Sequence, residues 1–360
     1  MWVMKRWLYG LLALSGWAYG AFLGSDFPEN PKESEPGVEM PRPIPLPRPV
    51  PAGVLVQLIH RLEIGQPVSY QQVTVYPLQL RHGANSNIRT MSEAMARDWL
   101  EIRELGQARV PVLDVRNNSA HSIFLMSGEI VLGGKQDRVI QQDVLIPPRS
   151  PWIKIPVYCV ERDRWDQPVK PTFRYSGYLA GGSLRRLAAK SASQDAVWEN
   201  VEAEITESKA RAPTRSYRSV FESPAFKETC DRAVARYRRC LVRQTVGAVV
   251  VAGGRVIHCD VFSDPALCAK LWPHITRSYW MDGCRHPGVR KPAPAGPGLV
   301  RRFLDRINQS TQVNQATPGA GRAYRIRGRL EGHALIFEQQ LVHASLFSGI
   351  QINPRPEILR

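Results

Sequence analysis

The stretch IFLMSGEIVLGGKQDRVIQQDVLI, residues 123–146, combines short apolar runs with a glycine turn and a dense set of polar side chains. Three of its segments, 123–125, 130–132 and 139–146, have the length and apolar content of strands. Gly133-Gly134 supplies a turn between the second segment and the third. This stretch therefore predicts antiparallel strands that deliver polar groups to one region of the fold.

The pattern continues on both sides of this stretch. Further strands are predicted at residues 73–80, 110–115 and 153–160, and a hairpin at residues 246–260 around Gly253-Gly254. The predicted helices are 53–63, 92–100, 187–209, 227–242, 265–281 and 299–307, and three strands at 323–330, 333–338 and 341–347 close the chain. Because strands and helices are grouped, the sequence predicts an α+β fold. Largely antiparallel strands fill its first half, and helices, a hairpin and a terminal strand meander fill its second half.

The first 20 residues have the pattern of a secretory signal peptide. A cationic start and a short apolar run precede small residues at Ala18 and Gly20, which predicts cleavage after Gly20. We therefore expect an exported protein, periplasmic or extracellular. The alternative is an anchor in the inner membrane formed by residues 7–23, a run at the short limit for spanning a bilayer.

Residues 21–52 are predicted to form a proline-rich linker. Nine prolines between Pro28 and Pro51 exclude a helix or a central strand there. The linker leaves a single globular α+β domain at residues 53–350 and a tail at 351–360. Much of the protein's proline excess therefore belongs to the linker rather than to the fold.

Six cysteines are present, and five of them fall within residues 230–284. An exported protein meets an oxidising compartment, so we expect one or two disulfides of undetermined connectivity. No Cys-x-x-Cys and no His-rich spacing occurs, so neither a metal site nor a cofactor is predicted. The six are Cys159, Cys230, Cys240, Cys259, Cys268 and Cys284.

The composition indicates a packed and basic protein. Hydrophobic residues make up 43% of the chain and charged residues 22%, and the formal net charge is +16. These values exclude a collagen, a coiled coil and a multi-span membrane protein. The positive charge favours anionic partners. Nucleic acid is not expected, because the arginines are dispersed and the protein is predicted to be exported.

The densest polar segment, residues 127–138, is the first candidate site. Lys135 and Arg138 are suited to hold an anion, Gln136 offers an amide, and Glu129 is a candidate acid or base. A solvated hairpin tip with surface ion pairs is the alternative.

The strand at residues 153–160 leads into the second candidate site. Glu161 and Arg164 follow its end, and Trp165 is placed to stack on a planar group. Glu129 and Glu161 together are a candidate carboxylate pair. The alternative is a salt bridge at the strand end with Trp165 in the core.

Arg186, Lys190 and Gln194 recur every four residues, so one continuous helix would align them as an anion-facing stripe. An exposed basic face is the alternative. Asp260 and His343, which lie at predicted strands, complete the candidate ligand-binding set. A structural role is the alternative for His343.

Several of these motifs occur together and in order along residues 54–347. In this combination the chain resembles a family first described as a domain of unknown function. That family is now named for its association with ADP-ribosylglycohydrolase and rhodanese/phosphatase-superfamily domains. The association implies nucleotide- or ADP-ribose-like ligands. The resemblance also implies that seven residues share a site: Glu129, Lys135, Gln136, Arg138, Glu161, Arg164 and Trp165.

The sequence thus favours a module that binds an anionic small molecule in a pocket of Glu, Lys, Gln and Arg side chains. One alternative is a hydrolase that uses Glu129 or Glu161 as acid or base. Another is a structural or interaction protein of the cell envelope whose basic surface binds acidic polymers. No nucleophile, metalloprotease or dinucleotide motif specifies a reaction. The oligomeric state stays open.

Overall fold

The computed structural model describes residues 53–104, 111–164, 170–285 and 296–349. Some predicted features lie outside the described residues: the signal peptide at 1–20, the linker at 21–52, Trp165 and the tail at 351–360. Among the helices of the described ranges, none combines the length and the apolar character needed to cross a membrane.

The described part of the chain contains eighteen strands, which are numbered here in chain order. They are β1 (Glu63–Ile64), β2 (Val68–Tyr70), β3 (Val73–Gln79), β4 (Arg89–Thr90), β5 (Leu100–Arg103), β6 (Val112–Asn117), β7 (Ile123–Leu125), β8 (Glu129–Gly134), β9 (Arg138–Ile140), β10 (Val144–Ile146), β11 (Ile153–Cys159), β12 (Lys170–Leu179), β13 (Thr245–Ala252), β14 (Arg255–Val261), β15 (Ser310–Gln315), β16 (Arg322–Gly328), β17 (Leu330–Phe337) and β18 (Gln340–Ser348).

Eight α-helices accompany these strands within the same ranges. They are α1 (Gly53–Arg61), α2 (Met91–Met95), α3 (Gly182–Ala189), α4 (Gln194–Ser208), α5 (Arg218–Glu222), α6 (Pro224–Tyr237), α7 (Pro265–Cys284) and α8 (Pro297–Asp305). Short 3₁₀ turns follow α6 and α8.

The strands form three sheets in which neighbouring strands are almost all antiparallel. The largest sheet has nine strands, in the order β1-β3-β13-β14-β18-β17-β16-β15 with β2 also paired to β3. The second has six strands in the order β12-β8-β9-β11-β6-β5, and the third is β10-β7-β4. Among the described strands, only β4 and β7 pair in parallel. The predicted α+β class is confirmed.

Both faces of the nine-stranded sheet are covered at β13. Val249 and Val251 contribute to the apolar layer that includes α1 and α8, whereas Ala248 and Val250 contribute to the layer that includes α7. Successive side chains of a strand point to opposite faces, so a strand covered on both faces is apolar throughout. This explains why every residue of TVGAVVVA, 245–252, is buried.

The predicted strand at residues 139–146 is divided between two sheets. Its first part pairs as β9 in the six-stranded sheet, and its last part pairs as β10 with β7. The residues between them, Gln141 to Asp143, leave the strand because Asp143 takes part in buried ion pairs. A polar break inside an apolar run thus marks a change of sheet.

The predicted helix at residues 187–209 is also divided. The left-handed backbone of Ser191, with φ of 53°, separates α3 from α4. Ser193 then caps α4, because its side chain accepts a hydrogen bond from the backbone N–H of Ala196. Arg186, Lys190 and Gln194 therefore do not form one helical stripe, and that prediction is wrong.

Six strands of the structure have no predicted counterpart, namely the short strands β1, β2, β4 and β5 and the longer strands β12 and β15. β15, with the sequence STQVNQ, lies at the edge of the nine-stranded sheet and has no buried residue. It therefore carries no apolar alternation. β12 contains Pro171 and Gly177 and shifts its register against β8 twice, which disrupts the pattern that predicts a strand.

All six cysteines are free thiols in the structure, and only Cys284 is exposed. No two of them lie at disulfide distance. Disulfide formation therefore stays a prediction, and in this geometry it requires movement of the backbone.

Gly332 allows β17 and β18 to approach closely. Its φ is +152°, and a Cβ at this position would lie 1.9 Å from the carbonyl oxygen of Ser345. We expect Gly332→Ala to lower the free energy of unfolding by about 1–3 kcal/mol, because backbone must move to relieve the clash. The urea midpoint measures the change.

Gly298→Ala is the matched control. Gly298 lies exposed in α8, and its Cβ would meet only the end of the Arg302 side chain, at 3.4 Å. Alanine should stabilise this helix by about 0.5–1 kcal/mol. Equal effects of the two substitutions would contradict the steric explanation.

Candidate functional site

A chain of buried charges lies at the centre of the protein. The Arg185 guanidinium donates two hydrogen bonds to Asp260, of 3.0 Å to Oδ2 and 2.6 Å to Oδ1. His343 lies between two carboxylates, with Nε2 at 3.0 Å from Asp260 and Nδ1 at 2.6 Å from Asp143. The Tyr279 hydroxyl donates to Asp260 Oδ2 at 2.8 Å. We call these five residues the central network.

The five side chains of the central network come from different parts of the fold. Arg185 lies on α3, Asp260 on β14, His343 on β18 and Tyr279 on α7, and Asp143 precedes β10. Glycine makes room for the longest of them, since a Cβ on Gly128 would lie 2.6 Å from Cγ of Arg185. The network therefore depends on a close approach of backbone to a buried arginine.

Mutual neutralisation keeps the central network charged. Burial alone would lower the pKa of His343, but the charge of Asp143 and hydrogen bonds to both carboxylates raise it to about 9. Burial alone would raise the pKa of Asp260, and Arg185 holds that pKa well below its usual range. Two carboxylates thus face two cations in a region closed to solvent, as buried charges require.

The central network continues on the far side of Arg185. The Ser345 hydroxyl accepts a hydrogen bond from Arg185 Nη2 at 3.2 Å and lies 2.8 Å from His258 Nε2. His258 Nδ1 in turn lies 3.8 Å from a carboxylate oxygen of Asp282. This arm leads toward the surface, where Asp282 lines a cavity.

Glu129 lies beside the central network and apart from Glu161. Its side chain is buried, and Oε2 accepts the backbone N–H of Met126 at 2.8 Å. Burial raises its pKa to about 8. The structure thus places Glu129 and Glu161 in different environments, and they do not form the predicted carboxylate pair.

Glu161 instead pairs with Asp137. Arg164 bridges them, since its Nε donates to Glu161 at 2.6 Å and its Nη2 donates to Asp137 at 3.0 Å. The Thr214 hydroxyl donates to Glu161 at 2.7 Å, and that of Ser216 donates to Asp137 at 3.3 Å. These five residues line a cavity of about 490 Å³, which we call the Glu161 pocket. Burial, and then the charge of Glu161, raise the pKa of Asp137.

Lys135, Gln136 and Arg138 have contacts that organise the glycine turn beside the Glu161 pocket. Gln136 Nε2 donates to the Arg162 carbonyl at 3.2 Å. Arg138 donates to the Gln136 carbonyl at 2.7 Å and to Glu104 at 3.0 Å. Lys135 donates its backbone N–H to the same glutamate at 3.1 Å. The guanidinium of Arg138 is thus directed into the protein.

Gln194 has a structural contact as well. Its Oε1 accepts the backbone N–H of Cys159 and its Nε2 donates to the Cys159 carbonyl, both at 2.9 Å. These two bonds imitate the pairing of a further strand with the end of β11. Gln194 is therefore not in position to hold a ligand together with Arg186.

Three neighbouring cavities form a second polar region, which we call the basic groove. Their volumes are about 700, 310 and 410 Å³. The first and second share Val256 and Ser348 as lining residues, and the second and third share Arg186 and Phe347. Their cations outnumber their carboxylates. The cations are Arg186, Lys190, Arg255, Arg285, Arg302, Arg306, Arg325, Arg327 and Arg329, and the carboxylates are Glu207, Asp282, Asp305 and Glu331.

The carboxylates of the basic groove neutralise only some of its cations. Glu331 holds Arg186 at 2.7 Å and Lys190 at 3.0 Å. Arg285 pairs at 2.6 Å with Glu207. In the described part of the chain, the other six cations of the groove have no carboxylate within 4 Å.

The predicted site residues therefore separate into several environments. Glu161 and Arg164 share the Glu161 pocket, Asp260 and His343 share the central network, and Arg186 and Lys190 line the basic groove. Glu129 and Gln194 lie elsewhere, and Lys135, Gln136 and Arg138 surround the glycine turn. These residues do not form one pocket. Glu129 begins β8 and the turn that carries Lys135 and Gln136 follows its other end, roughly 16 Å away along the strand.

The site predicted from the sequence did not include Asp137, Asp143, Arg185, His258 and Tyr279. A signal for one of them is present in RVIHCDVF, residues 255–262, where a histidine and an aspartate alternate within an apolar strand. Polar residues that alternate in this way share one face, which here is the buried one. Arg185 carries no such signal. The adjacent Arg186 is also an arginine but lies in a different environment, so the sequence does not tell which of the two is buried.

Comparison with known proteins identifies one family. The family model of the ARG and Rhodanese-Phosphatase-superfamily-associated Protein domain, ARPP-1, matches residues 61–347. No curated protein and no solved structure matches the chain. The match spans the central network, the Glu161 pocket and most of the basic groove.

The raised pKa of Glu129 predicts a pH-dependent effect of Glu129→Gln. Glutamate in the unfolded chain has a pKa near 4.5, and the folded value is about 8. The folded state therefore favours the proton, and the stability contributed by Glu129 falls as the pH rises from about 4.5 to 8. Glu129→Gln should be more stable than wild type at pH 8, with a much smaller difference at pH 5.

Urea unfolding at several pH values measures this difference, with a limiting slope of roughly 1.4 kcal/mol per pH unit. Glu331→Gln is the control of opposite sign, because Arg186 and Lys190 outweigh partial burial and lower the pKa of Glu331. It should lose stability above pH 4.5, and this loss should vanish in acid. Parallel pH curves for wild type and Glu129→Gln would contradict the assignment.

Proposed function

The chain belongs to the ARPP-1 family, and we propose that it binds an anionic, nucleotide- or ADP-ribose-like small molecule in the basic groove. The arginines around the cavity of about 700 Å³ carry this proposal. Arg255, Arg302, Arg306 and Arg329 line it without carboxylate partners in the described ranges. Gathered guanidinium groups repel one another, and a phosphate relieves that repulsion through paired, charge-assisted hydrogen bonds.

The same cavity also has an apolar wall, to which Val256, Leu299 and Phe303 contribute. An apolar wall beside arginines suits a ligand with a flat ring at one end and phosphates at the other. Ser348 also lines the second cavity of the groove, and Phe347 lines the second and the third. Arg186 and Lys190 lie at the third cavity. An extended molecule with two phosphates fits this line of cavities better than a single compact anion does.

Charge reversal at the groove tests the proposal. Arg302→Glu and Arg329→Glu change exposed residues, so the fold should persist. Titration calorimetry with ADP-ribose should show binding to wild type and at least a tenfold weaker affinity for each variant. Affinity should also fall as salt is added.

Arg236→Glu is the matched control, because Arg236 is exposed on α6 outside the groove. It should leave the affinity unchanged, and a loss equal to that of Arg302→Glu would indicate unspecific attraction. Absence of binding by ADP-ribose, ADP and NAD⁺ would overturn the proposal. Binding of poly-L-glutamate alone, at the same arginines, would favour the acidic-polymer alternative.

The Glu161 pocket favours a hydrolase as the second candidate function. Asp137 has a raised pKa and is suited to donate a proton. Glu161 lies in the same pocket, where Arg164 bridges it to Asp137, so it is placed to act as the second carboxylate. A pair of carboxyl groups in one pocket is the common basis of acid–base hydrolysis. This arrangement replaces Glu129 by Asp137 as the partner of Glu161.

Amide substitutions test the hydrolase function. Asp137→Asn and Glu161→Gln should each reduce the breakdown of ADP-ribose or NAD⁺, followed by chromatography, by at least about 100-fold. Glu129→Gln should retain the activity of wild type. If wild type releases no product, or if both pocket variants retain turnover, the hydrolase candidate is excluded while the binding proposal stands.

A further inference from the structure

We propose that Asp143, His333 and His343 form a binding site for a divalent transition-metal ion, of which zinc is the best match. Two imidazoles and one carboxylate are the donor set that zinc and its neighbours accept, whereas calcium and magnesium require mainly oxygen. The site is separate from the basic groove and from the Glu161 pocket. Nothing in the proposed binding or hydrolytic function depends on it.

The three side chains meet because of strand register. Leu335 of β17 pairs with His343 of β18, so His333, two residues before Leu335, projects from the same face as His343. The centroids of the two imidazole rings are 5.9 Å apart. Asp143 reaches the same point from the segment that precedes β10. The candidate ligand atoms all lie within 4.8 Å of one another.

The separation of His333 from Asp143 matches that of two ligands in a tetrahedral site. With metal–ligand bonds of about 2.0–2.1 Å, ligand atoms lie roughly 3.3 Å apart. His333 Nε2 is 3.3 Å from Asp143 Oδ2. His343 Nδ1 is 2.6 Å from the same oxygen, so an ion between them requires a small outward shift of that pair.

His333 supplies an independent observation. Its side chain is 8% exposed, and in the described part of the protein neither ring nitrogen makes a hydrogen bond of good geometry, Nε2 facing Asp143 Oδ2 only at 3.3 Å. A buried polar group without a partner costs free energy. A metal ion on Nε2 would provide the missing partner. Because Nε2 lies beside Asp143, the same ion would also contact that carboxylate.

The surroundings of His343 suit a metal ligand as well. Its Nε2 faces Asp260 at 3.0 Å, and Arg185 and Tyr279 hold that carboxylate in place. Metal-bound histidines commonly donate their second N–H to a carboxylate, which orients the ring. When the ion binds at Nδ1, the proton of that nitrogen leaves to solvent and the Nε2 proton remains on the Asp260 side.

Sequence spacing gives no sign of this site, since Asp143 lies 190 positions before His333 and His333 lies ten positions before His343. A site of three protein ligands leaves the fourth tetrahedral position for water. The ion would connect the nine-stranded sheet to the segment between β9 and β10, so it should stabilise the folded protein.

The experiment uses the full chain after removal of metal by a chelator. ZnCl₂ titrated by calorimetry should bind at one equivalent and raise the melting temperature. His333→Gln should weaken zinc binding by at least about 100-fold while the protein still folds, because glutamine is similar in size and its amide is able to donate to Asp143 in place of Nε2. His60→Gln is the control for surface chelation, because His60 is exposed, and it should bind zinc as wild type does.

Cobalt provides a second readout. Visible absorption of the Co²⁺ form should indicate nitrogen and oxygen ligands, and His333→Gln should abolish this spectrum. Absence of zinc binding, equal affinity of wild type and His333→Gln, or intense thiolate charge-transfer bands would each overturn the proposal. The last result would assign the ion to cysteines.

Discussion

The fold depends on the ion pair between Arg185 and Asp260, which is closed to solvent on all sides. Asp260 receives two hydrogen bonds from Arg185 and one from Tyr279, and it also faces His343. Through His343 and Asp143 the network reaches the segment that links the other two sheets. Desolvation makes such a set of charges costly unless every member is paired, so the elements that carry it must assemble together. Removing one partner of a buried pair typically costs about 3–5 kcal/mol.

The need to pair buried charges explains why several of the arginines named above are unavailable to ligands. Arg185 and Arg138 are buried and bound to protein acceptors, and Arg164 is held by two carboxylates. Six arginines that lack carboxylate partners in the described part of the chain instead lie around the three cavities of the basic groove. Some cations of this protein are thus structural and lie inside the sheets, whereas those of the basic groove lie where an anion can approach.

The class of the fold follows from apolar patterns that can be recognised within short segments of the sequence. The apolar run of β13 and the terminal meander appear in the sequence with nearly correct bounds. Gly133-Gly134, predicted as a turn, instead ends β8, and the bend follows at residues 135–136. The division at Ser191 and the edge strand β15 do not, because a left-handed backbone and an exposed strand leave no apolar signature. Arg164 beside Glu161 was accessible to sequence reasoning, since they are three positions apart. Asp137 was not singled out, although it lies between two residues that were.

The sequence by itself determined an α+β domain with a basic balance, a resemblance to one family, and a group of polar motifs near the ends of strands. Tertiary structure alone decided which of those polar residues meet. Asp143 and His343 are 200 positions apart and still meet. Glu129, at the start of β8, and Glu161, after the end of β11, belong to the same sheet region and have different partners. The reason is physical: local patterns record whether a side chain faces the core, whereas the choice of partner for a buried charge depends on register and packing between distant strands.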